Sequence, residues 1–191
     1  MRNSVMATVA FAISSSTFAA QPLQQEAFTT LFATTCMQYF YAPEKLRAEM
    51  TSQSAAVLQG RPSQFFLGDK PGTAWSVQLP AGKYVVSWRD DGVCSVFAQR
   101  AHVADVHSNF IALVAVAPEP LVASPRETDG PSTETLKTIS YAWHRPNDKT
   151  ELLFTLTTSS EATPNVQAMA SMALANKPNN SFKAKPLRGS P

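Results

Sequence analysis

The sequence predicts an α+β domain in which an antiparallel sheet of about six strands carries helices packed on one face. Apolar residues recur every three or four positions in the segments 26–41 and 102–117, which indicates two amphipathic helices. Between and after these segments, apolar and polar residues alternate in short runs separated by turns rich in Gly, Pro and Asp. Strands that cluster between helices, instead of alternating with them one by one, favour an antiparallel sheet.

In the first half, the helix predicted over Glu26–Tyr41 is followed by a second, short helix. Pro43 suits its first position, and it is expected to end near Met50. Turns at 68–72, 80–82 and 90–92 then separate short runs, and Asp91-Gly92 is a strong hairpin signal. These runs are the strands predicted at Gln64–Leu67, Ala74–Leu79, Lys83–Arg89 and Val93–Gln99.

In the second half, Pro118 and Pro120 end the helix predicted over 102–117. The polar, Pro-rich segment 118–134 is expected to be a long surface loop. Strands are predicted at Lys137–Arg145 and Glu151–Thr158. The alternation in residues 166–174 favours a third strand, although the Ala and Met content of 165–175 also permits a helix. This order would place a helix and a meander in each half, with Ala74-Trp75 and Ala142-Trp143 in loosely similar places. Two dipeptides are not evidence of a duplication, and we treat the similarity as coincidence.

The first twenty residues have the layout of a secretory signal peptide. Arg2 gives a positive start, residues 5–13 form an apolar run too short to span a bilayer, and small residues follow. The small-x-small rule places the cleavage after Ala19, with Ala20 as the alternative. Residues 1–19 are therefore predicted to be removed, and no cysteine stands just past the cut for a lipid anchor. We expect a soluble periplasmic protein without a membrane span.

The chain left after cleavage is long enough for one domain, predicted over residues 20–175. Residues 176–191 carry four basic side chains and no acidic one, and their Pro, Asn and Lys content predicts a disordered tail. Without this tail and Arg2, the chain has 11 basic and 14 acidic residues. A mildly acidic domain is a poor candidate for tight nucleic-acid binding, so no nucleic-acid partner is expected.

Two cysteines, Cys36 and Cys94, remain after cleavage. An even number of cysteines behind a signal peptide predicts a disulfide. The alternatives are a catalytic thiol, which needs a nearby histidine and a lowered pKa, and a metal site, of which two cysteines are only half. The oxidising compartment favours the Cys36–Cys94 disulfide over both.

Several short motifs resemble an uncharacterised family of secreted proteobacterial proteins and lipoproteins known from Neisseria and pseudomonads. The motifs are Cys36-Met37, Leu46-Arg47, Phe66-Leu67-Gly68, Pro71-Gly72-x-Ala74-Trp75, Gly92-x-Cys94-x-Val96-Phe97 and Gln167-Ala168-x-Ala170-Ser171. The resemblance covers roughly Glu26 to Ala175. It implies pairing of Cys36 with Cys94 and a periplasmic location, and it brings no catalytic residue.

No catalytic or metal-binding constellation stands out in the sequence. His102 and His107 are five positions apart on the predicted helix, so they cannot share a metal as an i, i+4 pair does. His102 and Asp105 share a helix face, and His144 is expected at a strand end. Neither a nucleophile elbow nor a phosphate-binding loop is present. We therefore assign no catalytic residue, metal or cofactor and leave open whether the protein is an enzyme, with a non-enzymatic role favoured.

Aromatic side chains on the predicted strands are the candidate binding surface. Trp and Tyr are enriched in binding hot spots, although core packing explains the same pattern. The surface is predicted to include Phe66, Pro71, Trp75, Trp88 and Trp143. We expect a periplasmic accessory or binding protein that acts by protein contact, as an inhibitor or an envelope-complex subunit. The alternative is a small hydrolase or ligand carrier with a cleft between helix and sheet.

Overall fold

The computed structural model describes residues 24–127, 132–161 and 166–177. Within these residues lie four α-helices and eight strands. The helices are α1 (Gln24–Phe32, continued by a π-helical segment Ala33–Met37), α2 (Pro43–Ser52), α3 (Gly60–Leu67) and α4 (Val103–Val114). The strands are β1 (Ala56–Val57), β2 (Gly72–Leu79), β3 (Gly82–Arg89), β4 (Cys94–Ala98), β5 (Val122–Arg126), β6 (Leu136–His144), β7 (Thr150–Ser159) and β8 (Ala168–Asn176).

All eight strands form one antiparallel sheet in the order β1-β2-β3-β4-β8-β7-β6-β5. Consecutive strands pair with each other within each half of the chain, and β4 pairs with β8 at the centre, with Val96 opposite Ala170. The predicted α+β class with an antiparallel sheet is confirmed. The predicted number of about six strands is too low.

The alternation of side chains along the strands divides the sheet into two faces. On the helix face, residues such as Val86, Val96 and Phe154 are buried against α1, α2 and α4. The apolar stripes of these helices supply the facing side chains, which include Phe28, Phe32, Leu46, Met50, Val106, Phe110 and Val114. The main core therefore lies between the helix face and these three helices.

The Cys36–Cys94 disulfide crosses this core. It links the π-helical segment to the central strand β4, and both cysteines are buried. No described cysteine is free. The predicted disulfide is confirmed, which removes the catalytic-thiol and metal readings of the two cysteines.

The remaining helix, α3, lies on the opposite face of the sheet, which we call the second face. The ring of Phe66 on α3 contacts the ring of Phe97, whose side chain points away from the helix face because its neighbour Val96 points into the core. The prediction that all helices pack on one face of the sheet is therefore wrong, because α3 lies on the other face. The strand predicted at Gln64–Leu67 is also wrong, because these residues are the C-terminal half of α3.

Local signals explain why this segment is a helix. Pro62 lies in its first turn, where a missing backbone N–H costs nothing. Gly68 ends the helix in the left-handed conformation (φ 59°), and its N–H donates to the Gln64 carbonyl over 2.9 Å.

Two further differences concern the second half. The segment predicted as a surface loop, 118–134, contains the edge strand β5, which pairs with β6 from Val122 opposite His144 to Arg126 opposite Ser140. Pro125 masked this strand in the sequence, and an edge strand is where proline is tolerated. Residues 168–176 form β8, so the strand favoured there over a helix is confirmed.

The two halves of the chain share one order of elements. In each, a helix (α1 or α4) precedes four strands. These strands follow chain order from one edge of the sheet to its centre, β1 to β4 in the first half and β5 to β8 in the second. Among the residues that the structure describes, the first half has two additional helices, α2 before β1 and α3 between β1 and β2. The halves therefore differ mainly in these insertions.

The predicted signal peptide, residues 1–19, lies outside the described residues, as does nearly all of the predicted tail 176–191. None of the described helices is both long and apolar enough to cross a membrane.

Candidate functional site

An aromatic ladder on the second face forms the candidate site. Phe65 is 57% exposed and packs edge-on against Phe66, with ring centroids 4.9 Å apart. Phe66 in turn meets Phe97 of β4 edge-on, also at 4.9 Å. An exposed phenylalanine supported by two more aromatic rings is a rigid apolar surface.

The C-terminal end of α3 anchors this ladder to the sheet. Leu67 is buried, and its Cδ2 atom lies 3.0 Å from the position that a Cβ atom would take at Gly72. The same Cβ position is only 2.3 Å from the Trp88 carbonyl oxygen. Position 72 therefore requires glycine, because α3 and the end of β3 both come too close to the start of β2 to leave room for a side chain.

Two cavities flank the ladder. The first, of about 360 Å³, lies between α3 and strands β2 to β4, and Val85, Phe97 and Gln99 form part of its wall. The second, of about 280 Å³, lies toward β7 and β8, where Thr157 and Met169 form part of its wall. Phe65, Phe97 and Val166 line both cavities, so the two are parts of one groove. We call this the α3 groove.

Lys83 is the only charged residue that lines the α3 groove within the part of the chain that the structure describes. No described carboxylate forms an ion pair with it. Tyr84 is also at this wall, but its side chain is buried in the main core on the helix face, where burial raises the pKa of its hydroxyl. The groove is thus apolar, with one positive charge at its wall.

The five residues predicted as a binding surface do not lie together. Trp75 and Trp88 are buried on the helix face, as parts of the core. Trp143 lies on the same face at β6, where it is partly buried, and Pro71 is exposed in the turn before β2. Of the five, only Phe66 reaches the α3 groove.

The predicted histidines occupy separate places. His102 pairs with Asp105 on the surface, with Nδ1 and Oδ2 3.0 Å apart. His107 Nε2 lies 3.2 Å from the Thr158 hydroxyl, and burial, followed by the charge of Lys137, lowers the pKa of its imidazole. His144 lies 3.4 Å from the Ser124 hydroxyl. No two of the three form a shared site.

A larger cavity, of about 580 Å³, lies between α1, α2 and the turn that joins β2 to β3. Glu26 and Glu49 line it, and several of its polar side chains are bonded to groups of the same helix. The Thr35 hydroxyl donates to the Leu31 carbonyl over 2.5 Å, and Gln53 donates to the Glu49 carboxylate over 2.7 Å. Because these groups already have partners, the α3 groove is the better candidate for binding.

Groups suited to catalysis do not converge in the α3 groove. Its described lining holds no histidine and no carboxylate. Among all described residues, no three His, Cys, Asp or Glu side chains are grouped so that they could hold a metal ion. The groove can therefore bind an apolar group and an anion, but the described residues supply no acid–base pair for hydrolysis.

The sequence directed attention to residues 65–75 but did not place Phe65 beside Phe66, because a strand at Gln64–Leu67 would send the two to opposite faces. It did not single out Phe97 or Lys83. Pro62 and Gly68, at helix-start and helix-end spacing, were the signal that could have found α3.

Comparisons with protein-family models, with curated proteins and with solved structures find no match to this chain.

Proposed function

We propose that this protein is a non-enzymatic accessory protein of the periplasm that binds a partner protein in the α3 groove. The observation that carries the proposal is the exposure of Phe65 on top of the Phe66–Phe97 pair. Aromatic anchors in pockets dominate the binding energy of protein interfaces. The disulfide supports a location outside the reducing cytosol, and the periplasm follows from the predicted signal peptide.

The partner segment that fits this groove is apolar and carries a carboxylate beside its apolar side chain. The walls formed by Phe97, Val166 and Met169 accept the apolar side chain, and the Lys83 ammonium, which has no described ion-pair partner, donates to the carboxylate. Lys83 is exposed, so the ion pair itself contributes little affinity, and its main effect is to disfavour segments that place a positive charge there.

Affinity purification from periplasmic extract tests the proposal. The full chain is compared with Phe65→Ser and Lys83→Glu, and bound proteins are quantified by mass spectrometry. We expect one defined protein whose recovery falls at least tenfold with either substitution, because each removes one of the two matched features. Tyr41→Ser is the matched control, since Tyr41 is an exposed aromatic residue outside the groove lining.

Thermal unfolding of all four proteins shows that the variants fold. A defined protein that is recovered equally by the full chain, Phe65→Ser and Lys83→Glu would contradict the proposal, as would the absence of any enriched protein.

A carrier of a small apolar ligand is the second candidate. The first cavity, of about 360 Å³, lies within the size range of ligand sites, about 300–1,000 Å³. Native mass spectrometry of protein purified from periplasm would then show a constant added mass of a few hundred daltons. Ser76→Trp, at the cavity wall, would abolish the added mass, while an added mass that persists in this variant argues against the cavity as its site.

A further inference from the structure

The helix α2 has no counterpart among the described residues of the second half of the chain. In the first half, α2 lies in the connection between α1 and β1, and its Leu46 and Met50 side chains are fully buried in the main core. They share that cluster with Trp75 and Val77 of β2, both of which are buried. α2 therefore closes the core over the outer strands of its half.

The corresponding connection in the second half, between α4 and β5, contains no helix. The described part of the next connection, between β5 and β6, contains none either. On β6, which occupies the place of β2 in the sheet order, Ile139, Tyr141 and Trp143 point to the helix face and are only partly buried. The outer strands of the second half thus have an apolar face that no described helix closes.

One flank of α4 borders this face. His107 meets Thr158 of β7, and the Trp143 indole N–H donates to the Val114 carbonyl over 2.7 Å. Ile111 follows His107 by four residues, so it lies on the same flank of the helix, and it is 36% exposed. We call Ile111, Ile139, Tyr141 and Trp143 the β6 face.

We propose that the β6 face binds an amphipathic helix of a partner protein, in the place that α2 occupies in the other half. Two apolar side chains four positions apart, as in Leu46 and Met50, fit a face bounded by α4 on one side. Lys137 is exposed at one end of β6, points to the same face, and has no described acidic partner. The helix that binds is therefore acidic on its polar side.

A stapled ten-residue helical peptide tests this proposal. It carries two leucines four positions apart on one side and glutamates elsewhere, and a fluorescent label reports binding to the full chain by anisotropy. We expect saturable binding that Ile111→Glu weakens at least tenfold, because this substitution places a carboxylate in the apolar contact. Lys137→Glu weakens binding of the glutamate peptide and strengthens binding of the same peptide with lysines in place of glutamates.

Tryptophan fluorescence locates the bound peptide. Trp75 and Trp88 are already buried, so a blue shift on binding reports Trp143, and Trp143→Phe removes the shift. Val116→Glu, an equally drastic change at an exposed apolar residue just beyond α4, is the matched control and leaves the affinity unchanged. Unfolding curves of every variant establish that it is folded.

Three results would overturn the proposal. The first is no saturable binding of the peptide up to about 1 mM, a concentration that corresponds to about 4 kcal/mol of binding free energy. The second is binding that Phe65→Ser abolishes and Ile111→Glu does not, which would place the peptide in the α3 groove. The third is dimerisation of the full chain that Ile111→Glu abolishes, which would make a second copy the occupant.

Discussion

Removal of the Cys36–Cys94 disulfide is expected to cost a large part of the stability of the fold. The bond joins residues 58 positions apart. Loop-closure entropy in the unfolded chain then gives a loss of about 4 kcal/mol when both cysteines are replaced by alanine. A domain of this size has a free energy of unfolding of about 5–15 kcal/mol, so the melting temperature should fall by about 8–16 °C.

Urea unfolding measures this loss in Cys36→Ala/Cys94→Ala and in the unmodified chain, with and without reductant. Each single variant should lose as much as the double variant, to within about 0.5 kcal/mol, because either one removes the same bond. Non-reducing mass spectrometry should show one linked peptide and no free thiol in the unmodified chain. A loss below about 1 kcal/mol would refute the entropic reasoning, because the unfolded chain would then be constrained by something other than the bond.

Three further changes follow from buried or crowded groups, and urea unfolding measures each. The pKa of His107 is lowered in the folded protein, so the unfolded chain binds a proton more readily. The free energy of unfolding should therefore fall as the pH drops below about 6.5 and level off below the pKa of the folded state. His107→Gln should flatten this dependence. Arg126→Met should lower the free energy of unfolding by about 3 kcal/mol, because it leaves the Glu151 carboxylate, which is 3% exposed, without its ion-pair partner. Arg126→Met/Glu151→Met should lower it less, because no buried charge is then left unpaired. Gly72→Ala should cost at least about 2 kcal/mol, since its Cβ would lie 2.3 Å from a carbonyl oxygen of β3, whereas Gly68→Ala, with open space around it, should cost about 1 kcal/mol.

Periodicity in the sequence predicted the elements that lie against the main core. The stripes that contain Phe28 and Phe110 are strong because one side of each helix is buried in the core and the other is not. Around Val86 both sides of the strand are buried, and the alternation shows because Ser87, which points to the second face, is polar. The disulfide was predictable for a different reason, since two cysteines offer one pairing.

Elements with weak or mixed burial were not predictable in this way. In α3, Leu67 is buried but Phe65 is exposed, so its apolar residues do not mark one buried side. In β5, Pro125 and the exposed Val122 look like a loop, because an edge strand needs hydrogen bonds on one side only. The α3 groove depends on α3, which only Pro62 and Gly68 near its ends indicate, and on the position of α3 across the second face, which no local pattern encodes.

Both proposed surfaces arise from the same difference between the halves of the chain. The first half inserts α2 and α3, so its helix face is closed and its second face carries the aromatic ladder; the second half lacks described counterparts, and the β6 face stays open. The α3 groove and the β6 face lie on opposite faces of the sheet, so one partner segment cannot fill both. Phe65→Ser and Ile111→Glu should therefore act independently. In a double variant, the loss of the periplasmic partner and the loss of the helical peptide should each equal that of the corresponding single variant.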